Sequence, residues 1–263
     1  METLTKTGRI FYGIMIACLG AQQIPYADFR PVIFPPWSAT MPGLAILAYL
    51  SSVLLILCGV AIIFEKKVRE VSLILGGVFL LLILLAQVPF ELIKDPYYKH
   101  LGVWGNTLKE LVFAGGAFAV AGMYQGSAKE GGLLRFLEKF IPFAGTFMSI
   151  TMILFGIDHF LYIDFVVKLM PMWIPGPFFW SYFAGVALIG SGITIILKIK
   201  LKLSATLLGV MIFLWFIVLH VPRAIVDPYG AQGNELTSVF EALGFSGIAF
   251  MVAGGYGNWI RAK

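Results

Sequence analysis

The sequence predicts an all-α membrane protein whose eight transmembrane helices form two tandem four-helix bundles. The first observation is composition: 59% of the 263 residues are hydrophobic, 13% are charged, and the mean hydropathy is +0.90. Soluble domains carry about 25% charged residues, so the chain is assigned to the membrane class. The second observation is a series of apolar runs, and the third is a pair of signatures that occurs in both halves of the chain.

The apolar runs have the length needed to cross a bilayer, about 17–25 residues. They are predicted at 8–25, 43–64, 70–90, 107–125, 143–163, 178–198, 203–222 and 236–257. Backbone groups in hydrocarbon must be satisfied within the chain, and the alternation typical of a barrel is missing, so each run is predicted to be a helix. Lys6 and Arg9 before the first run resemble a signal peptide. Because that run aligns with the internal stretch 146–155, we expect a retained span.

The two halves share two signatures. The stretch 156–180, GIDHFLYIDFVVKLMPMWIPGPFFW, has a weaker copy at 20–37, GAQQIPYADFRPVIFPPW. The matched pairs are Tyr162 with Tyr26, Asp164 with Asp28, Phe165 with Phe29, Pro171 with Pro35 and Trp173 with Trp37. Later, Val-Pro and Asp-Pro-Tyr at 88–89 and 95–97 return at 221–222 and 227–229. The sequence therefore predicts repeats at 1–125 and 141–263, joined by an amphipathic cytoplasmic linker at 126–140.

Orientation follows from the basic residues. One side of the predicted spans carries 13 Lys and Arg residues and the other carries 6. The positive-inside rule then places both termini on the cytoplasmic side. We expect the membrane to be a bacterial plasma membrane. An even number of spans per repeat gives both repeats the same orientation, with a pseudo-two-fold axis along the membrane normal. The net charge of +5 does not indicate nucleic-acid binding, because the basic residues form short clusters between apolar runs.

The repeats differ most at three polar positions near the outer ends of the spans. Gln22, Gln23 and Gln87 of the first repeat align with Asp158, His159 and His220 of the second. Ionisable groups in a membrane span are costly and often functional. Together with Arg223 and Glu241, they predict a polar pocket at the outer side of the second repeat. The alternative is that these groups hydrogen-bond within the bundle or extend to the lipid headgroups.

The residue types in this pocket suit proton handling. A His beside an Asp relays protons near neutral pH, so His159 and His220 are the candidate proton carriers, Asp158 the group that orients a His, and Arg223 a contact for a ligand oxygen. Imidazoles also bind Zn, Cu or Fe. However, a local motif such as HExxH is absent, so metal and axial haem ligation are less favoured than a quinone. Nucleotide-binding and hydrolase motifs are also missing.

The segment 160–173 is predicted to lie at the outer interface. Asp164 and Lys168 have the i, i+4 spacing that stabilises a helix, and aromatic residues surround them. Tyr162 and Trp173 would anchor an interfacial amphipathic helix. The same helix could cover a lipid-accessible pocket, and the two interpretations are compatible.

Three stretches of the second half are characteristic: GIDHFLYIDFVVKLMPMWIPGPFFWSYFAGVALIGSG, then HVPR, then GNELTSVFEAL followed by a Gly/Ala-rich last span. With these stretches, the second half resembles the DoxX-like family of small four-helix membrane proteins. In the first half, NTLKEL followed by AGGAFAVAG resembles that family's closing helix. Many members have one four-helix unit, whereas this chain has two, and its first repeat lacks the His residues. The resemblance implies a membrane four-helix bundle. The recurrent polar positions that it points to are Asp158, His159, His220, Arg223, Asn234 and Glu235.

Members of that family are subunits of archaeal quinol oxidase and thiosulfate:quinone oxidoreductase systems, or act with soluble redox partners in a mycobacterial membrane complex. We therefore expect a redox-associated subunit that binds a quinone- or lipid-like molecule and has a membrane or periplasmic protein partner. The expected binding residues are Arg223, Glu241, Trp173, Tyr162, Asn234 and Glu235. The alternatives are a non-catalytic assembly subunit and, third, a transporter, which the few charges in the inner half disfavour.

Overall fold

The structure is a computed structural model that describes residues 1–36, 41–126 and 131–261, with side chains up to residue 255. All regular elements in these ranges are helical. Trp37, the predicted counterpart of Trp173, and residues 127–130 of the predicted linker lie outside the described residues.

Twelve α-helices occur in the described ranges. They are α1 (Glu2–Tyr26), α2 (Leu44–Ile63), α3 (Val68–Leu82), α4 (Val88–Ile93), α5 (Gly105–Ala121), α6 (Gly132–Glu138), α7 (Ala144–Leu161), α8 (Ile163–Lys168), α9 (Pro177–Ile196), α10 (Leu201–Trp215), α11 (Val221–Val226) and α12 (Gly230–Arg261). A π turn at Ile83–Gln87 joins α3 to α4, and another at Phe216–His220 joins α10 to α11. Backbone angles are left-handed at 231–233, so the regular part of α12 begins after Gly233.

Six helical stretches of the described chain are long and apolar enough to cross a membrane. They are Leu44–Ile63, Val68–Ile93, Gly132–Leu161, Pro177–Ile196, Leu201–Val226 and Gly230–Gly255. These six stretches are compatible with a multi-pass integral membrane protein. The predicted first and fourth spans correspond to α1 and α5, which are not among the six. Because α5 has 17 residues and buries thirteen of them, it is enclosed by protein and needs little apolar surface of its own.

The long helices follow one another around a closed ring. Helix α1 lies between α2 and α12, and the ring continues through α10, α9, α7, α5 and α3 back to α2. This order differs from two separate four-helix bundles. The closing helix of the second predicted repeat, α12, packs mainly against α1, the first helix of the other repeat. The closing helix of the first, α5, lies between α3 of its own repeat and α7 of the other. The two halves therefore share one interior.

Glycines permit the close packing of α12 on α1 and of α5 on α7. A Cβ on Gly247 of α12 would lie 2.5 Å from the carbonyl oxygen of Gly8 in α1. A Cβ on Gly115 of α5 would lie 2.9 Å from the carbonyl oxygen of Ala144 in α7. Only residues without a side chain allow helix backbones to approach so closely. The packing of the two halves thus depends on small residues in their closing helices.

The interior is aromatic and aliphatic, whereas the outer helices present apolar side chains outward. Tyr12, Phe113 and Phe118 are fully buried, and the Tyr12 hydroxyl donates to the Phe113 carbonyl at 2.7 Å. On α2, Leu50 and Leu54 are 57% and 62% exposed. Apolar surface facing outward suits a lipid environment.

The end of the bundle that contains Met1 is held by basic residues. Arg9 pairs with Glu65 at 2.6 Å, and Arg69 pairs with Glu138 of α6 at 2.9 Å. Leu137 of α6 is buried, and its side chain packs directly against Gly77 of α3. The described part of the predicted linker is thus a short helix packed against α3. The opposite end, where α1, α4, α7 and α11 terminate, is called here the far end.

Candidate functional site

Two π turns position the polar residues at the far end. Gln87 and His220 are the last residues of these turns, and each is followed by Val-Pro. Proline has no backbone N–H, and its ring collides with the carbonyl four residues earlier. The widened π turn accommodates this proline in a continuing helix, and such turns often occur at functional sites.

An ion pair joins α5 to α12 beside His220. Lys109 Nζ lies 2.7 Å from Glu241 Oε2, and the Lys109 and Glu241 side chains are 25% and 5% exposed. Lys109 and Arg223 both act electrostatically on His220. We call Lys109, His220, Arg223, Glu235 and Glu241 the far-end cluster.

Two atoms of the far-end cluster are buried without a hydrogen-bond partner in the described part of the chain. They are His220 Nδ1 and Glu241 Oε1. Most buried polar atoms in folded proteins have at least one partner. These two atoms therefore mark a place where a polar group of a ligand could bind.

Arg223 connects three segments at the far end. Its Nη2 is hydrogen-bonded to Glu235 Oε1, and its Nη1 donates to the Leu169 carbonyl at 2.8 Å. Arg223 lies on α11, Glu235 on α12, and Leu169 directly after α8. The guanidinium is thereby fixed in position with further N–H groups to offer.

The first half adds Arg30 to this region. Arg30 is 1% exposed, and its Nη1 donates to the Gln232 carbonyl at 2.6 Å. Its guanidinium lies 5.3 Å from the centre of the Tyr26 ring. Burial lowers the pKa of Arg30, and the charges of Tyr26, Glu241 and Asp28 oppose that effect. Arg30 thus ties the segment after α1 to the start of α12.

Gln22 holds the left-handed turn at the start of α12. Its Nε2 donates to the Gly233 carbonyl at 3.2 Å, and its Oε1 accepts from Thr237 at 3.1 Å. Ala231, Gln232 and Gly233 all have positive φ. The Gln22 amide stabilises a backbone conformation that alanine and glutamine rarely adopt.

His159 lies apart from the far-end cluster. Its Nδ1 is 2.8 Å from the Phe155 carbonyl of its own helix, and its Cβ lies next to Gly185 of α9. No hydrogen bond or ring contact joins His159 to His220 in the described ranges. The structure therefore does not bring the two predicted proton carriers into contact.

Asp158 and Tyr162 face His100, a residue that sequence reasoning did not single out. Asp158 interacts electrostatically with His100, and its Oδ1 is buried without a partner among the described residues. The Tyr162 ring stacks on His100 at a centroid distance of 4.1 Å, and its hydroxyl accepts from the Leu101 N–H at 3.2 Å. The expectation that Asp158 orients His159 or His220 differs from this arrangement.

The other predicted binding residues lie at the surface. Trp173 is 62% exposed, and Asn234 is also exposed. None of the residues of α8 is buried, which fits the interfacial helix predicted around Asp164. Trp173 and Asn234 do not share the buried environment of Glu241.

Sequence reasoning missed Lys109 and Arg30 as site residues. A signal for Lys109 was available, because NTLKEL precedes a closing helix in the same way as GNELTSVFEAL. At the spacing of 132 that aligns the two closing helices, Lys109 corresponds to Glu241. Arg30 carried no such signal, since its burial arises from contact with a turn about 200 positions away.

Metal ligation receives no geometric support. In the described part of the chain, no group of three or more His, Cys, Asp or Glu side chains is arranged to hold a metal ion.

Comparisons with protein families, curated proteins and solved structures find no match. The function must therefore be argued from the residues of this chain.

Proposed function

We propose that this chain is a multi-pass membrane protein that binds the polar head of a quinone-like molecule at the far-end cluster. The observation that carries the proposal is the pair of unpartnered buried atoms, His220 Nδ1 and Glu241 Oε1. Both lie among the cations Lys109 and Arg223, which have spare N–H donors. The carbonyl or hydroxyl oxygens of a ligand could accept from these cations, and its hydroxyl groups could donate to the unpartnered atoms.

An aromatic surface near His220 supports a ring-shaped, lipid-soluble ligand. Trp215 lies directly before the π turn that ends at His220, and its ring meets Trp180 of α9 at 6.2 Å. Phe216 stacks on Phe213 at 5.6 Å. Aromatic rings offer apolar area and stacking contacts to a quinone ring. The site would then be reached from the bilayer between α9 and α10.

As a redox-associated subunit, the protein would present the bound quinone to a membrane or periplasmic partner, as the DoxX-like resemblance implies. His220 would exchange a proton with the ligand through its unpartnered Nδ1. His159 would handle protons from α7 without contacting the ligand, because it lies outside the far-end cluster.

The tandem repeat is part of this proposal, and contacts between α5 and α12 support it. Lys109 pairs with Glu241, the Phe113 and Phe245 rings lie 6.0 Å apart, and a Cβ on Gly116 would lie 2.7 Å from Ile248 Cδ1. The partners in each pair are 132 positions apart. Equivalent residues contact each other where a two-fold axis passes between two units.

Backbone features at matched positions give independent support. The two π turns lie 133 positions apart. Positive φ values of 59° and 45° at Glu65 and Lys67 return as 59° and 43° at Lys198 and Lys200, again at a spacing of 133. A Cβ on Gly20 would lie 2.8 Å from the Ser52 carbonyl oxygen, and a Cβ on Gly156 would lie 2.8 Å from the Gly185 carbonyl oxygen.

We also propose that α1 and α5 cross the membrane, which gives eight spans with the far end outside a bacterial plasma membrane and both termini in the cytoplasm. In the sequence, the predicted connections on the side of the termini carry 13 Lys and Arg residues and those on the other side carry 6, which supports this orientation. The far-end cluster would then face the outer leaflet.

The test is the quinone content of the protein purified gently from its own membranes. Native mass spectrometry and extraction of bound lipids should find a quinone on the wild type, and H220Q should lose it. H159Q is the matched control, because His159 lies outside the far-end cluster. Thermal unfolding of each variant reports whether it is folded. Equal quinone content in wild type and folded H220Q would overturn the proposal.

An assembly subunit is the second candidate, and the exposed apolar residues in and after α8 favour it. Met172 is fully exposed, and Trp173 and Phe165 are 62% and 63% exposed. Such residues could dock a partner protein instead of the membrane interface. Copurification of one stoichiometric partner that is lost in the double variant M172S/W173S would favour this candidate.

A further inference from the structure

A second buried polar site lies in the first half, outside the far-end cluster. Glu110 of α5 is fully buried, and neither of its carboxyl oxygens accepts a hydrogen bond in the described part of the chain. Its neighbour Lys109 is directed to Glu241 instead. Burying a carboxylate without a counter-charge or hydrogen bond is very costly. Glu110 therefore needs a partner that neutralises its charge.

Gln87 is the polar group next to Glu110. Its side chain is fully buried and interacts with the Glu110 carboxyl. The Gln87 Nε2 donates to the Pro31 carbonyl at 2.9 Å, whereas Gln87 Oε1 accepts no hydrogen bond from the described residues. Gln87 Oε1 and both oxygens of Glu110 are thus three buried acceptor atoms for which the described residues supply no donor.

Among the described residues, no cationic side chain is hydrogen-bonded to the Glu110 carboxyl group. Protonation removes the uncompensated charge, and the resulting O–H can donate to a nearby acceptor.

We propose that Glu110 is a protonated carboxylic acid that forms, with Gln87 beside it, a proton-exchange site in the first half. The ligand of this site is the proton itself. The site stands independently of the quinone proposal, since it uses none of the residues of the far-end cluster. Gln87 occupies the end of one π turn as His220 occupies the end of the other. Each half thus places one protonatable group beside its π turn.

Acidic residues lead from this site toward the far end. Glu91 lies one turn beyond Gln87 on α4, is 5% exposed, and has an unpartnered Oε2 in the described chain. Asp95 follows the end of α4 and interacts with Glu91. Glu91 and Asp95 provide a route by which protons from the far end reach Glu110.

Infrared spectroscopy of the full-length protein in lipid tests the proposal. Wild type should show the C=O stretching band of a protonated carboxyl group, shifted by exchange into D2O, and E110Q should lose it. Q87L should shift this band to higher frequency, because the carboxyl group loses its polar neighbour. E235Q is the matched control and should keep the band, since Glu235 is ion-paired with Arg223. An E110Q spectrum identical to wild type would overturn the proposal.

Labelling provides a second measurement. Dicyclohexylcarbodiimide is lipid-soluble and reacts with protonated carboxyl groups, so peptide mapping should find the label on Glu110 and not on Glu235. E110Q should remain folded, because the glutamine side chain has nearly the same shape as the neutral acid and also carries no charge. E91L should slow the D2O shift of the Glu110 band. An unchanged exchange rate in E91L would rule out the route through Glu91, and an unlabelled Glu110 would contradict a protonated acid.

Discussion

Lys109 and Glu241 form an ion pair 2.7 Å long between α5 and α12, although 132 positions separate them in the chain. In the proposed tandem repeat the two residues are equivalent, and they carry opposite charges. This pair lets the closing helices of the two halves meet at their polar ends, where two copies of the same charge would repel each other.

Breaking this ion pair should destabilise the fold. E241Q leaves Lys109 without its counter-charge in a largely buried place, and the expected cost is about 3 kcal/mol. The exchanged variant K109E/E241K should recover part of that loss. Unfolding curves in detergent for K109M, E241Q, K109M/E241Q and K109E/E241K measure the coupling energy between the two residues. Strictly additive effects would contradict an energetic link between the two residues.

The crossing of α1 and α12 should not tolerate a methyl group. G247A places a Cβ 2.5 Å from the Gly8 carbonyl oxygen, which forces the helices apart at an expected cost of about 1–3 kcal/mol. G190A is the matched control, because a Cβ at Gly190 of α9 meets nothing within 4 Å. Alanine is the better helix former, so G190A should be neutral or slightly stabilising. Equal melting temperatures for the two variants would refute the close crossing.

The Tyr12 hydroxyl should stabilise the centre of the bundle. It donates to the Phe113 carbonyl at 2.7 Å, and the Tyr12 side chain is fully buried. Y12F should therefore cost about 1 kcal/mol, the usual contribution of one hydrogen bond. Y97F serves as the control, since Tyr97 is 72% exposed. Chemical unfolding in detergent compares the two, and an equal effect would speak against the buried hydrogen bond.

Residues at the two ends of the bundle should be accessible from opposite sides of the membrane. The background is C18S/C58S, because Cys18 and Cys58 are the free cysteines of the described chain. In intact cells, a membrane-impermeant maleimide should label M172C and leave K202C unlabelled until the cells are opened. The charge bias supplies this direction. Labelling of K202C but not M172C in intact cells would show that the orientation is the opposite of the one proposed.

Composition and periodicity predicted the helices well because they depend on local sequence. The apolar runs at 43–64 and 178–198 correspond to α2 and α9, and the breaks around Pro171 and Pro175 fall between α8 and α9. Proline and glycine end or bend helices wherever they occur. The membrane class and six of the eight predicted spans could thus be recognised before any packing was known.

The partners of each polar residue could not be read in this way. Sequence spacing grouped Asp158 with His159, but Asp158 faces His100, and His159 is hydrogen-bonded within α7. Adjacent residues of a helix point in directions about 100° apart, so chain neighbours contact different elements. Which element each one meets depends on the ring order of the helices.

The sequence by itself determined an all-helical, apolar chain with polar residues concentrated near one set of helix ends. Only the tertiary structure decided that α12 packs on α1 and α5 on α7, which brings Lys109 and Arg30 of the first half to Glu241 and Gln232 of the second. The reason is physical: apolar patterning specifies that a helix buries a face, but not which helix covers it. That choice depends on the close approach of backbones at Gly247 and Gly115, a property of the assembled bundle.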